Sequence, residues 1–166
     1  MALVSHETAQ ALTRRKARYA RYADTKQWDK FESIFLPNAT SAFVDRDGNP
    51  IKMGKQGLVF DTGKAMAAYF EKFNTGQDAI HNIGPGDFEQ VGPDEVKAVW
   101  VVEYQTISRT LGTWQKIRGG GYYHETWKRV DGEWYIADLR MERAYQEESP
   151  LVKVMLAIVN VLGLSF

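Results

Sequence analysis

Four polar residues in this sequence could together perform acid–base chemistry: Tyr19, Asp24, His81 and Arg143. A neutral imidazole can remove a proton near pH 7, and a carboxylate that accepts its other ring N–H fixes the tautomer and stabilises the imidazolium that forms. His81 and Asp24 are candidates for such a pair. The phenol of Tyr19 could donate to a substrate oxygen, and Arg143 could neutralise a substrate carboxylate or a developing enolate.

Each of these residues also has a structural interpretation. The run Asp24-Thr25-Lys26-Gln27 has capping-box spacing, so Asp24 could cap a following helix while His81 caps a strand. Tyr19 lies on the apolar stripe of a predicted helix, where packing is its ordinary role. Arg143 lies in a charged run, where side chains most often face solvent. The residue types alone leave both interpretations open.

The elements that must position these residues begin with helices. Apolar residues recur at helical spacing over Thr8–Ala23, with charged residues between them, Arg14, Arg15, Lys16 and Arg18 among these. A second helix is predicted from Trp28 until Pro37-Asn38 stops the pattern, and a third from near Thr62 to Gly76. Five residues rotate by about 140° on a helix. Tyr19 and Asp24 therefore share a face only if the first helix ends or bends near Ala23.

Strand patterns dominate the rest of the chain. Strands are predicted over Ala39–Val44, Glu95–Ser108, Trp114–Val130 and Glu133–Tyr145, and Asp131-Gly132 joins the last two as a tight hairpin. Helices followed by an antiparallel meander predict an α+β domain whose helices cover one face of a curved sheet. Such a sheet leaves a pocket beneath the helices. Gly119-Gly120-Gly121 then marks a bulge, a bend or the close approach of another group, or is a curvature device without a ligand.

Composition excludes several classes of function. The chain has 166 residues, no cysteine, and 21 basic residues balanced by 21 acidic ones, so we expect one domain, no thiolate chemistry and no nucleic-acid partner. We expect a cytoplasmic protein without a signal peptide. The three histidines are far apart and form no HxH or HxxxH pair, and no phosphate-binding loop is evident. We therefore expect no metal and no cofactor.

Several segments resemble a known family. They are Arg18–Asp29, His81-Asn82-Ile83-Gly84, Gly120-Gly121-Tyr122-Tyr123 and Asp131–Ile136. Their order and spacing resemble the SnoaL-like family of the nuclear-transport-factor-two superfamily, with its cystatin-like cone. Within that family the chain is most similar to bile-acid dehydratase and more distantly to scytalone dehydratase and lindane dehydrochlorinase. The resemblance covers roughly residues 9 to 147.

The resemblance implies roles for particular residues. It implies that His81 is the base, that Asp24 orients it, and that Tyr19 and Arg143 match a tyrosine and an arginine of the bile-acid enzyme. Trp100, Tyr104 and Tyr123 are the predicted substrate-binding residues. This chain departs from its relatives in two places. Tyr104 stands where the bile-acid enzyme has an acidic residue, and the glycine run stands where scytalone dehydratase has a second histidine.

We interpret the chain as a cofactor-independent dehydratase that acts on a hydrophobic cyclic hydroxy or carbonyl compound. An isomerase or cyclase, a noncatalytic ligand carrier and a dioxygenase small-subunit-like assembly protein are the alternatives. We expect a SnoaL-like α+β barrel domain over residues 1–147 and an apolar C-terminal extension over 148–166. That extension is too short to span a membrane, and we expect it to contact another subunit or to cover the pocket. A homotrimer is favoured, with a dimer as the alternative, and membrane contact is not expected.

Overall fold

The computed structural model describes residues 3–162. Its helices are α1 (His6–Asp24), a 3₁₀ helix (Trp28–Ser33), α2 (Gly63–Phe73) and α3 (Pro150–Leu162). The hydroxyl of Ser5 accepts the N–H of Thr8 at 3.1 Å and thereby caps α1. Thr62 caps α2 in the same way. These side chains satisfy N–H groups that the first turn of a helix leaves unpaired.

The C-terminal end of α1 is fixed by its backbone. The N–H of Gln27 donates to the carbonyl of Tyr22 at 2.8 Å, and that of Lys26 donates to the carbonyl of Ala23 at 3.3 Å. This pattern is a Schellman motif, in which the residue after the cap adopts a left-handed conformation. Lys26 has that conformation, with φ of 61°. The helix therefore stops abruptly, and Asp24 is its last residue.

The main sheet has six strands in the order β4-β1-β8-β7-β6-β5. The long strands are β1 (Phe35–Val44), β5 (Gln77–Gly92), β6 (Glu95–Ser108), β7 (Gly112–Val130) and β8 (Glu133–Glu148). Shorter strands are β2 (Lys52–Met53), β3 (Gln56–Gly57) and β4 (Val59–Phe60). All neighbours in the main sheet are antiparallel except β1 and β8. The sheet is curved and open, with β4 and β5 at its edges, so the expected α+β fold is confirmed and the expected barrel closure is not seen.

The structure corrects two predicted elements. The second helix is only a six-residue 3₁₀ helix, and β1 begins already at Phe35. The sheet also has a fourth long strand of the meander, β5, which sequence patterns did not predict. The predicted turn at Asp131-Gly132 is confirmed, because both residues have positive φ values and join β7 to β8.

The core lies between the concave face of the sheet and the helices. From α1 it contains Leu12, Tyr19 and Ala23, and from α2 it contains Met66 and Ala67. Within residues 3–162, no helix is long and apolar enough to cross a membrane. The helices thus cover one face of the sheet and leave a cavity at one end of it.

Helix α3 follows β8 and packs against β7, β8 and β2. It turns Val152, Leu156 and Val159 towards the protein. Val154, Met155, Ile158, Val161 and Leu162 are exposed. The helix is apolar on both sides, and only one side is covered. The proposed boundary between a domain and a C-terminal extension remains a prediction.

Candidate active site

An apolar cavity of about 150 Å³ lies between the helices and the sheet. Five of the predicted site residues line its wall, each from a different element. They are Tyr19 from α1, His81 from β5, Tyr104 from β6, Tyr123 from β7 and Arg143 from β8. A larger groove of about 420 Å³ lies along the first half of α1 and the β7–β8 turn, but its lining is mostly polar and charged. We build the candidate site on the smaller cavity because it contains His81.

His81 and Asp24 are in direct contact. Nδ1 of His81 lies 2.6 Å from Oδ1 of Asp24, and the backbone N–H of His81 donates to Oδ2 at 3.1 Å. An ionised carboxylate only accepts hydrogen bonds, so the contact assigns the donor role to Nδ1, and in the neutral imidazole Nε2 is then the unprotonated nitrogen. Among residues 3–162, nothing hydrogen-bonds to Nε2. Because His81 also lines the cavity, the pair is the candidate acid–base group of this site.

Asp24 is held by the end of α1 in a position that costs local stability. An acidic residue in the last turn of a helix faces the negative end of the helix dipole. The carboxylate is 15% exposed and the imidazole 21% exposed. Asp24 is not among the residues that line the cavity, and it contacts the cavity-lining His81 through Nδ1. The capping roles considered for Asp24 and His81 are wrong. Among residues 3–162, Asp24 caps no helix, and His81 lies inside β5.

A β-bulge directly after Arg143 explains how Gln146 also reaches the cavity. Gly120 pairs with Tyr145 and Gly121 pairs with Arg143, so Ala144 is an extra residue on β8. A Cβ atom on Gly121 would overlap the carbonyl oxygen of Glu142, which is why glycine is needed at the bulge. The bulge changes which side chains of β8 point inward. The inward side chains are Met141 and Arg143 before the bulge and Gln146 after it.

Gln146 links two of the predicted site residues. Its Oε1 accepts from Nη1 of Arg143 at 2.9 Å and from the hydroxyl of Tyr104 at 3.0 Å. Burial raises the pKa of Tyr104 to about 12. The ring of Tyr104 lies 6.3 Å from the His81 ring. Tyr104 therefore lies near the candidate base, and a guanidinium fixed by Gln146 lines the same cavity.

Tyr19 and Tyr123 lie deeper, with their rings 5.7 Å apart and nearly perpendicular. Burial raises the pKa of both phenols. Nζ of Lys16 lies 4.1 Å from the centre of the Tyr19 ring and 3.5 Å from that of Tyr123. This is a cation–π arrangement that holds both rings in place. A phenol with a raised pKa remains protonated at neutral pH and can act as a hydrogen-bond donor.

Lys16 itself contradicts the sequence analysis, which placed it among the exposed charges of α1. It is fully buried and its Nζ lies 2.5 Å from Oε1 of Glu125, also fully buried. Trp100 and Trp127 donate their indole N–H groups to Oε2 of Glu125 at 2.8 Å and 2.9 Å. Burial lowers the pKa of Lys16, and the charge of Glu125 opposes that shift.

Trp100 is the one predicted substrate-binding residue that does not line the cavity. It is 1% exposed, and its indole N–H is already bonded to Glu125. Sequence reasoning also missed Gln146 and Lys16. A signal for Lys16 existed, since it follows Leu12 by four residues and precedes Tyr19 by three on the buried stripe. No comparable signal marks Gln146, because its inward direction depends on the bulge.

Comparisons with known proteins place this arrangement in a family. Residues 5–140 match the model of the SnoaL-like domain. The chain is 42% identical over 142 residues to "Probable cyclase FGR4" of Gibberella zeae, an alignment that covers 86% of this chain and 95% of the relative. The chain therefore belongs to the SnoaL-like domain family, which confirms the resemblance seen in the sequence.

Solved structures show the same fold at low sequence identity. A protein of Novosphingobium aromaticivorans assigned as a scytalone dehydratase is 14% identical, with a TM-score of 0.69 over 84% of this chain and 85% of that protein. The hexachlorocyclohexane dehydrochlorinase LinA-type3 of Novosphingobium barchaimii is 18% identical, with a TM-score of 0.68 over 87% and 91% of the two chains. At these identities the likeness supports the fold alone.

Proposed function

We propose that this member of the SnoaL-like family is a lyase or isomerase that works by general-base catalysis without a cofactor. The observation that carries the proposal is the contact of 2.6 Å between Nδ1 of His81 and Oδ1 of Asp24, on the wall of an apolar cavity that also contains Arg143. Membership of the family and the relative named as a cyclase support this class of reaction.

The first step is the removal of a proton from a carbon next to a substrate carbonyl. Nε2 of His81 takes the proton, and Asp24 stabilises the imidazolium through Nδ1. The enolate oxygen receives a hydrogen bond from Arg143, whose guanidinium Gln146 holds in position and which keeps further N–H groups. Tyr104 donates its O–H to Gln146 and so helps to fix that amide. Tyr19 serves as an additional donor because it lines the same cavity and its phenol carries a proton at neutral pH.

The second step decides the reaction class. In a dehydration, the enolate expels a hydroxyl group from the β-carbon, and the imidazolium returns its proton so that water leaves. In an isomerisation the proton returns to another carbon. In a cyclisation the enolate carbon adds to a second carbonyl carbon of the substrate, the π bond of that carbonyl breaks, and the imidazolium protonates the resulting alkoxide. The sequence analysis favours dehydration. The 42% identity to a protein named as a cyclase favours ring formation as the alternative.

The substrate proposed for this site is a small hydrophobic cyclic compound. The cavity has a volume of about 150 Å³ and a mostly apolar wall, and an engineered cavity of about that size accepts benzene. Leu156 of α3 contributes to the wall, so α3 acts as part of the lid. A ligand carrier would need this cavity but not the acid–base pair, and the pair is what favours an enzyme.

We also propose a homo-oligomer, with a trimer favoured over a dimer. The exposed side of α3 provides an apolar contact surface that includes Ile158, 51% exposed, and Val161, 85% exposed. Sedimentation equilibrium of the wild type and of Ile158→Lys measures this directly. A wild type that is already monomeric would contradict the proposal.

Nitrogen-edited NMR of the imidazoles tests the acid–base pair. The chain has three histidines, and His81→Gln identifies the signals of His81. We expect His81 to carry its proton on Nδ1 in the wild type and to change tautomer in Asp24→Asn, because the new amide can donate to Nδ1. Asp78→Asn is the matched control, since Asp78 lies on the same strand but pairs with Arg109.

A His81 tautomer that is the same in wild type and in Asp24→Asn would contradict the proposal. The carrier or assembly-subunit function would then be the better explanation of the fold. A change confined to Asp24→Asn and absent in Asp78→Asn would support general-base catalysis and justify screening hydroxylated cyclic ketones.

A further inference from the structure

The cavity contains polar atoms that the proposed mechanism does not use. Among residues 3–162, four buried polar side-chain atoms have no hydrogen-bond partner. Two of them, the hydroxyls of Tyr69 and Thr106, belong to residues that line the cavity. Lys26 and Ser41 provide the other two and do not line it. Buried polar groups in native proteins are nearly always paired, so two unpaired hydroxyls in one cavity require an explanation.

Tyr69 is held rigidly with its hydroxyl unpaired. The residue is 8% exposed, and burial raises the pKa of its phenol. Its ring packs against Phe60 at 5.4 Å and Phe70 at 5.3 Å, and it stacks on Phe73 at 6.3 Å with an angle of 9° between the rings. These contacts fix the direction of the hydroxyl. Tyr69 belongs to α2, which carries no part of the acid–base pair.

Thr106 lies on the sheet side of the same cavity. It pairs with Ala79 on β5 and with Ile117 on β7. It is two residues after Tyr104 on the same face of β6, which places it about 7 Å further along the strand. The cavity wall therefore has two unpaired hydroxyls, one from Tyr69 on α2 and one from Thr106 on β6, in addition to the polar groups of His81 and Arg143.

We propose that the hydroxyl of Tyr69, together with that of Thr106, binds a second oxygen atom of the ligand. The ligand class is a small cyclic compound with two oxygen functions, one bound beside His81 and the other bound by Tyr69. This inference rests on the proposed function only for the identity of the first site. It explains why a cavity with a mostly apolar wall retains two hydroxyls that packing does not require, since phenylalanine and valine would fill the same space.

Binding of phenol and of the three benzenediols under anaerobic conditions tests this proposal. They are one-ring compounds that fit a cavity of about 150 Å³, and the diols differ only in where the second oxygen lies. Dissociation constants come from amide chemical shifts in NMR titrations. We expect the wild type to bind one diol about 3- to 10-fold more tightly than phenol, the effect of one net hydrogen bond. We expect Tyr69→Phe to reduce that preference to less than about 2-fold.

Tyr145→Phe is the matched control, because it removes the hydroxyl of a tyrosine that is 44% exposed and does not line the cavity. It should keep the full preference, and Thr106→Val, which preserves side-chain volume, should reduce it. An equal preference in wild type and Tyr69→Phe would overturn the proposal. So would a wild type that prefers none of the diols or binds none of the four compounds.

The test separates this inference from the proposed catalysis. His81→Gln abolishes the base but leaves the hydroxyl of Tyr69 intact, so it should retain the preference for the diol. If Asp24→Asn leaves the tautomer of His81 unchanged and Tyr69→Phe still removes the preference, the ligand site stands and the catalytic proposal fails. If the tautomer changes and no preference exists, only the second site fails.

Discussion

Helix α1 contributes one residue to each of two acid–base pairs, Lys16 with Glu125 and Asp24 with His81. The pairs differ in how many of their hydrogen-bonding groups lack a partner. In the first, Glu125 accepts from Lys16 and from two tryptophan indoles, and both charged side chains are fully buried. In the second, Asp24 is bonded to His81, but Nε2 of the imidazole has no hydrogen-bond partner among residues 3–162. A buried pair with every group bonded holds the fold together, whereas a pair with one group unbonded can act on a substrate.

The two pairs also show why burial is a poor guide to catalysis. Lys16 has a lowered pKa and lies against two aromatic rings, which are features often found in active sites. Its ammonium nonetheless has no access to the cavity. His81 lies at the cavity wall with side-chain exposure of 21%. Access for a ligand, rather than an unusual environment, distinguishes the two pairs.

The largest expected effect is on catalysis by the second pair. Solvent deuterium exchange into 3-hydroxycyclohexanone, followed by NMR, measures proton removal next to a carbonyl and also detects loss of water. We expect His81→Gln to lower the exchange rate by about 100- to 10,000-fold. Lys16→Met should change the exchange rate far less, once the rate is normalised to the concentration of folded protein. Equal losses in the two variants would contradict the distinction between the pairs.

The next largest effect is on stability, and it falls on the first pair. Lys16→Met leaves Glu125 buried without its cation, so we expect the free energy of unfolding to fall by about 3–5 kcal/mol in urea titrations. The double variant Lys16→Met/Glu125→Gln should recover much of this loss, because no buried charge remains unpaired. Asp24→Asn should cost less, about 1 kcal/mol, because an amide of the same shape can still hydrogen-bond to the backbone N–H and to Nδ1 of His81. A loss in Asp24→Asn as large as that in Lys16→Met would make both pairs structural.

The smallest expected effect is a loss of stability at high pH, caused by the buried phenol of Tyr104. The pKa of Tyr104 is raised to about 12, so the folded protein retains this proton above pH 10, where the unfolded chain loses it. Stability from this group is therefore complete below pH 10 and decreases as the pH rises through 12. At pH 11 the loss is about 1 kcal/mol relative to pH 9. Tyr104→Phe should lose less between those pH values. A wild type and variant with the same pH dependence would contradict this effect of burial.

Much of the fold follows from the sequence, because most of its elements have strong periodic patterns. Strand β5 does not, since Gly84-Pro85-Gly86 interrupts its alternation and is typical of a loop. The register of β5 against β6 shifts at that point, between Ile83 and Gly86. The predicted second helix failed for a related reason. Its apolar spacing is real, but α1 ends in a Schellman motif and leaves room for only a short 3₁₀ helix.

The candidate site was predictable where one residue type indicates one kind of chemistry. A histidine and an aspartate in a sequence pattern shared with a family were enough to predict the contact between His81 and Asp24; their catalytic roles stay a prediction. Gln146 was not predictable, since an extra residue on β8 reverses the alternation of inward and outward side chains after Arg143. Lys16 was misplaced because a charged residue is assumed to face solvent, and nothing in the sequence pairs it with Glu125, 109 residues away.

The contact between Asp24 and the backbone of His81 has a consequence for aggregation. Strand β5 is an edge of the sheet, and an exposed edge offers unpaired N–H and C=O groups to strands of other chains. The carboxylate of Asp24 occupies the N–H of His81, and Pro85, four residues on, has no N–H to offer. An incoming strand therefore meets two interruptions within five residues. The carboxylate that orients the imidazole also keeps this edge from serving as a template.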